Sequence, residues 1–322
     1  RANPENVLEG FPRTYNTQGP FWGHTIGSAF GDLNDDGYPE IVSANLVHLY
    51  YDSTDIRGRI CDDSNFFTHD PVAGIEWHDF RPTSGIDYKP RGGTGTFQGD
   101  ELYAGVALGD VDNDGDLDLA FGGGGSDAIY LNSGAPAYTF TNAGILGISN
   151  TAPTQGMSLR DWDGDGWLDL YVMNSEIWDD QNPQYFRDFF YVNDQQGGFT
   201  NRSELITSEE YYGRGISWGD YDRDFDSDLY VGNYRIVANR FYENRLDSQT
   251  GVRDLWERTS DTNDPANVLE GEKRYYNTQG PYLGHTIGSA FGDLNNDGYP
   301  EIVTANLVHL YHDTSDIRGL IC

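Results

Sequence analysis

Cysteine is nearly absent from this sequence. Two in 322 residues, Cys61 and Cys322, are too few to staple a scaffold, and their spacing fits no zinc motif. Apolar runs are equally scarce, and none approaches the roughly 18 residues that cross a bilayer, so membrane insertion is not expected. Basic residues are few: Lys and Arg number 20 against 52 Asp and Glu, for a formal net charge of −32. A surface of that sign is repelled by nucleic acid and anionic membranes, which removes both as expected partners. No sustained helical periodicity occurs. The chain opens at Arg1 without a Met or a leader, as expected of a processed or excised piece.

What the sequence has in quantity is glycine (40), tyrosine (22), phenylalanine (16) and tryptophan (7). That mixture suits short strands joined by tight turns. It also has repeats. Residues 4–61 align with 265–322 without a gap at an offset of 261, and 46 of 58 positions are identical, Cys61 and Cys322 among them. A shorter repeat runs through the whole chain, marked by five acidic loops: DLNDDGYPE from Asp32, DVDNDGDLD from Asp110, DWDGDGWLD from Asp161, DYDRDFDSD from Asp220 and DLNNDGYPE from Asp293. Their spacings are 78, 51, 59 and 73 residues. Periods in this range point to propeller blades or a related array. The longer intervals leave room for insertions, and 62–99 reads as one.

Alternating apolar residues precede the loops (Val106 and Leu108, Met157 and Leu159, Ile216 and Trp218), a strand signature. After each loop comes a β-rich run: IVSAN, LAFGG, LYVMN, LYVGN and IVTAN. Third strands are expected at VHLYYD (47–52), AIYLN, FFYVN and RFYEN, and fourth strands at YTFTN, GGFTN and LWERT. Four short antiparallel strands per unit make a propeller blade. The expected fold is all-β, a β-propeller in one domain over 1–322, with five motif-bearing blades and up to seven in all, or an open tandem array.

The loop pattern D-x-[DN]-x-D-G-x-x-[DE] repeats an oxygen ligand at every second position and closes on a carboxylate at position 9. A hard cation such as calcium takes six to eight oxygens, and position 7 offers its backbone carbonyl, as in other calcium loops. The Gly at position 6 supplies the positive φ that the curl requires. The expected ligands are Asp110, Asp112, Asp114, Asp116 and Asp118 in the second loop, and Asp161, Asp163, Asp165, Trp167 and Asp169 in the third. In the fourth they are Asp220, Asp222, Asp224, Asp226 and Asp228. There Phe225 replaces the Gly, so this loop is expected to be empty, distorted or the weakest, with Asp226 offering a side-chain oxygen instead. No Glu stands at position 12, which excludes an EF-hand. The absence of His and Cys from the loops argues against zinc and iron.

The segments GSAFGDLNDDGYPEIV, GVALGDVDNDGDLDLAF and GMSLRDWDGDGWLDLYV resemble FG-GAP or VCBS repeats. Such repeats build integrin α-subunit heads and secreted propellers of the ASPIC/UnbV-associated type. The similarity covers roughly residues 20–312 apart from 62–99. It implies a propeller, usually seven-bladed, with calcium held along one rim. Carried over, it implies Asp32, Asn34, Asp36 and Glu40 as ligands with the Tyr38 carbonyl, and likewise Asp293, Asn295, Asp297 and Glu301 with Tyr299. About four or five calcium ions are expected.

The expected function is an extracellular, calcium-stabilised structural or adhesive module. Its partners are further copies of itself, head-to-tail or in an array, or other extracellular proteins. The alternatives are a glycan-binding propeller, for which the tyrosines and tryptophans offer stacking faces, and a polysaccharide lyase or dehydratase. Against an enzyme, His24 and His285 are repeat equivalents, and His69, His78 and Asp79 form no known catalytic cluster. Asn201-Arg202-Ser203 is a glycosylation sequon.

Overall fold

The computed structural model describes residues 13–15, 18–21, 25–45, 65–70, 75–79, 85–86, 104–123, 127–144, 152–177, 184–206, 209–210, 212–234, 237–258, 269–270, 274–276, 279–283 and 286–306. Among these the chain is all-β, with no α-helix and hence none long and apolar enough to cross a membrane. A hairpin of β1 (Arg13–Tyr15) and β2 (Gln18–Phe21) comes first. The first four-stranded sheet follows in the order β3 (Thr25–Gly31), β4 (Glu40–Asn45), β5 (Asn65–Asp70) and β6 (Ile75–Asp79). The second comprises β7 (Ala104–Gly109), β8 (Asp118–Gly123), β9 (Ala128–Asn132) and β10 (Phe140–Gly144).

In the third, β11 (Thr154–Arg160) and β12 (Asp169–Asn174) lead to β15 (Phe189–Asn193) and β16 (Phe199–Asn201). The small pair β13 (Glu176–Ile177) and β14 (Gln184–Tyr185) intervenes in sequence. The fourth sheet is β17 (Gly213–Gly219), β18 (Asp228–Asn233), β19 (Arg240–Leu246) and β20 (Arg253–Glu257). A second hairpin, β21 (Arg274–Tyr276) and β22 (Gln279–Tyr282), precedes the antiparallel pair β23 (Thr286–Gly292) and β24 (Glu301–Asn306).

Every acidic loop thus joins the first and second strands of its sheet. The expected strands AIYLN, FFYVN and RFYEN occupy third places as β9, β15 and part of β19. The strand expected at 47–52 lies outside the described residues. The first sheet takes its third and fourth strands, β5 and β6, from within 62–99, with Phe66 and Phe67 in register with Val42 and Ile41.

The chain divides into two compact units. One is Arg1–Leu159 with Ile177–Gln184 and Val192–Asn201; the other is Arg160–Glu176 with Tyr185–Tyr191 and Arg202–Cys322. In the first, Leu33, Val42, Leu119, Phe121, Tyr130 and Phe140 form one buried apolar cluster. In the second, Tyr171, Phe190, Tyr230, Phe241 and Tyr242 are fully buried. Trp162 packs edge-on to Phe190 at 5.4 Å between centroids, and Tyr221 likewise to Phe241 at 4.9 Å. All six residues of β8, β12 and β18 are buried, which explains why these strands read as nearly continuous apolar runs after an acidic start.

The first strands β7 and β11 approach backbone to backbone, as do β17 and β23, and glycine permits it. A Cβ on Gly105 would lie 2.8 Å from the Gly156 carbonyl carbon, and one on Gly215 would lie 3.0 Å from Gly288 Cα. Any side chain there would wedge the sheets apart.

Candidate metal centre

The acidic loops fold on their own side chains. In the second loop both oxygens of Asp110 accept backbone N–H bonds, from Asp114 at 3.1 Å and Gly115 at 3.0 Å. Asp114 Oδ1 accepts the N–H of Asp116 at 3.0 Å. The pattern recurs at Asp32, Asp161, Asp220 and Asp293, where position 1 takes the N–H groups of positions 5 and 6. Asp36, Asp165, Asp224 and Asp297 each take the N–H of position 7. The backbone enters positive φ twice per loop. At position 6 the residues are Gly37, Gly115, Gly166, Phe225 and Gly298, as the sequence leads one to expect for the glycines. At position 4 they are Asp35, Asn113, Gly164, Arg223 and Asn296, a second demand that the pattern search passed over.

Position 9 is buried beneath four of the five loops, as Glu40, Asp118, Asp169 and Asp228, whereas Glu301 is half-buried. Asp118 and Asp228 are 0 % exposed and Glu40 1 %. One oxygen of each accepts the N–H of position 2: Val111 to Asp118 at 2.9 Å, Tyr221 to Asp228 at 3.0 Å, Leu33 to Glu40 at 2.7 Å. The other oxygen of Asp118 accepts the N–H of Asn132 at 2.8 Å, and that of Asp228 the N–H of Asn244 at 2.9 Å. Thr68 Oγ1 serves Glu40 in this way at 2.9 Å. Burial pushes the carboxyls of Asp118 and Asp228 up to about 7, against the pull of those N–H groups. Position 3 is raised as well in Asp112, Asp163 and Asp222, first by burial and then by the position 5 carboxylate beside it.

Three side chains converge in each of three loops. Carboxylate oxygens of Asp110, Asp112 and Asp118 lie within 4.8 Å of one another, as do those of Asp161, Asp163 and Asp169, and of Asp220, Asp222 and Asp228. These triads could hold a metal ion. The fit has an independent sign: Asp112 Oδ1 is buried without a hydrogen-bond partner, a costly state for a carboxylate oxygen unless a cation faces it. In the loops with asparagine at position 3, the amide sits beside the position 9 carboxylate instead. Asn295 Nδ2 donates to Glu301 at 2.8 Å, and Asn34 Nδ2 to Glu40 at 3.3 Å. The side chains at position 7 stand apart from the triads. Asp116 is half-buried, and Asp226 Oδ2 is engaged by Arg253 at 2.7 Å while its Oδ1 is buried without a hydrogen-bond partner.

Residues 110–172 match the model of an FG-GAP-like repeat. The match begins at the first Asp of the second loop and runs through the third loop into β12. No curated protein matches the chain.

Within and around this FG-GAP-like segment lies a set of residues that the motif reading missed. Asn132 Nδ2 donates to the Leu33 carbonyl at 2.9 Å, Asn193 Nδ2 to Val111 at 2.8 Å and Asn244 Nδ2 to Trp162 at 2.6 Å. Asn132 and Asn193 end the third strands of their sheets and Asn244 lies two residues before the end of its own, and each carbonyl is position 2 of the loop in the preceding sheet. All three asparagines are at most 5 % exposed. The signal was present as the shared Tyr-x-Asn in AIYLN, FFYVN and RFYEN. Asn201, the sequon residue, is exposed at the end of β16. Cys61, Cys322, His24 and His285 lie outside the described residues.

Proposed function

We propose that this chain is an extracellular, calcium-stabilised structural module of FG-GAP-type propeller blades, in which metal serves the fold rather than a reaction. The observation that carries the reading is the triad built three times over, with a buried, unpartnered Asp112 oxygen in one of them. An all-oxygen, carboxylate-rich loop suits calcium better than magnesium, which seldom uses an all-protein cage, or zinc, which prefers nitrogen and sulfur. In the triad loops the holding residues would be the Asp at positions 1, 3, 5 and 9 with the position 7 carbonyl. In the Asp32 and Asp293 loops they would be Asp32, Asn34, Asp36 and Glu40, and Asp293, Asn295, Asp297 and Glu301.

Bound calcium would neutralise the gathered carboxylates. The protein's part is to hold the loop open at the right curvature, through the position 1 and position 5 bonds, and to tie its base to the next sheet through the asparagine latch. On this reading the module's role is adhesive or scaffolding.

Isothermal titration with calcium of chelator-stripped protein tests the reading. Binding of about four or five ions, with magnesium weaker, is expected. Fewer than three sites, or no preference for calcium, would count against it.

A further inference from the structure

Segments 25–45 and 286–306 carry the same sequence but for Asp35 against Asn296 and Ser43 against Thr304. Their environments are opposite. In 286–306 the leading side, toward the preceding sheet, is engaged. A Cβ on Gly219 would meet the Phe291 ring at 2.4 Å, and Ser289 and Ser217 share a hydroxyl hydrogen bond of 2.8 Å. Thr286, 1 % exposed, covers Gly232.

In 25–45 the trailing side is engaged. A Cβ on Gly31 would lie 2.8 Å from Leu117 Cδ1 and 2.9 Å from Leu108 Cδ1, while Leu33 and Val42 are sealed into the apolar cluster. The side that one copy packs against a neighbour the other exposes. Phe30, the twin of Phe291, is 64 % exposed. Leu294 and Val303, the twins of Leu33 and Val42, are 69 % and 47 % exposed. Gly292, the twin of Gly31, has only its own loop's Leu294 Cδ2 near it, at 3.9 Å.

We propose that copies of this chain associate head to tail, the Phe30 side of one molecule seating on the Gly292, Leu294 and Val303 side of the next. The twins specify the occupant. Phe291 shows that this phenylalanine packs on a glycine ending a first strand, and Gly31 shows that this glycine accepts a large apolar side chain from the following sheet. The contact therefore continues packing that each segment already uses. Two different surfaces meet, so the contact is heterologous: it closes into a ring or extends as a filament according to the rotation it imposes. The proposal does not rest on the calcium reading, because its residues are apolar or glycine and none is a triad member.

Sedimentation velocity over a concentration series, in calcium, tests it with two variants. Wild-type protein is expected to grow from the 36.0 kDa monomer into larger species. Phe30→Asp and Leu294→Asp should each stay at 36.0 kDa with melting temperatures unchanged, since both side chains are already exposed. Mixed in equal amounts they should form a one-to-one dimer and nothing larger, because each keeps the face that the other lacks. Non-specific stickiness or misfolding would not produce that complementation. A wild-type protein that stays monomeric throughout, as a chain closed on itself would, overturns the proposal. So does a variant that still self-associates, or a mixture that remains monomeric.

Discussion

The loop at Asp110 and the loop at Asp220 differ where it should matter most. At position 6 the first has Gly115 and the second Phe225, yet their geometries agree. Gly115 sits at φ 99° and Phe225 at φ 71°. Their N–H groups reach position 1 at 3.0 and 3.1 Å, and both loops bury their position 9 carboxylate under the N–H of position 2. Of the outcomes expected at Asp220, an empty, distorted or weakest loop, the geometry bears on one, and the loop is not distorted. Four carboxylate-to-backbone bonds set the curl, and Phe225 adopts the left-handed conformation at a cost of about 1–2 kcal/mol with its ring in solvent, 95 % exposed. Glycine is the cheaper occupant of that position, but the surrounding acids impose its shape.

If the acids shape the loop, the largest effect should come from position 9. Asp118→Ala and Asp228→Ala each strand two backbone N–H groups, and a loss of about 3 kcal/mol or more is expected in denaturant unfolding of either. Two clearly unequal values would mean that the two loops are not built alike. The latch comes next. Asn132→Ala and Asn244→Ala should each cost about 1–3 kcal/mol, by leaving the position 2 carbonyl of the preceding loop buried without its donor. Smaller still is the exchange at position 6. Phe225→Gly should gain about 1 kcal/mol and Gly115→Phe should lose about as much. A Phe225→Gly variant less stable than wild type would show that the ring makes a contact of its own. Smallest is Asp116→Ala, within about 0.5 kcal/mol for a half-buried side chain outside the triad, whereas Asp226→Ala should cost more because Arg253 loses its carboxylate partner.

The pH dependence sharpens the same comparison. Asp118 and Asp228 hold their protons up to about 7 in the folded chain, far above an unfolded aspartate. A raised carboxyl stabilises the fold below its unfolded pKa, and that contribution is lost as pH rises through the folded value. Metal-free protein should therefore lose stability between about pH 4 and 7. Cations compete with those protons, so calcium affinity should fall as pH drops below 7. The gap between melting temperatures with and without calcium should widen from pH 5 to pH 8. A constant gap would mean that neither carboxylate meets the cation. Asp188 lies outside the loops, and burial raises it to about 6. Asp188→Asn should flatten the part of the pH profile that persists whether or not calcium is present.

Much of this was legible in the residues because it is local. Alternation before each loop and apolar runs after it mark the first and second strands, and the nine-residue pattern marks the triads. Other features depend on partners distant in sequence. The latch joins Asn132 to Leu33 and Asn244 to Trp162, and no periodicity within one unit carries such a bond. The supply of β5 and β6 from within 62–99 is of the same kind, since pairing with β4 selects those strands. Opposite burial of two nearly identical segments could not be read at all, because burial belongs to the neighbours rather than to the sequence.

Thermal unfolding before and after stripping metal with EGTA, followed by titration with calcium or magnesium, tests the central claim most directly. A loop shaped by gathered carboxylates needs a cation to offset their repulsion, and a ligand bound only to the folded state stabilises it by mass action. The melting temperature should fall substantially on stripping, recover with calcium, and recover less with magnesium. An unchanged melt after metal removal is verified would contradict the account.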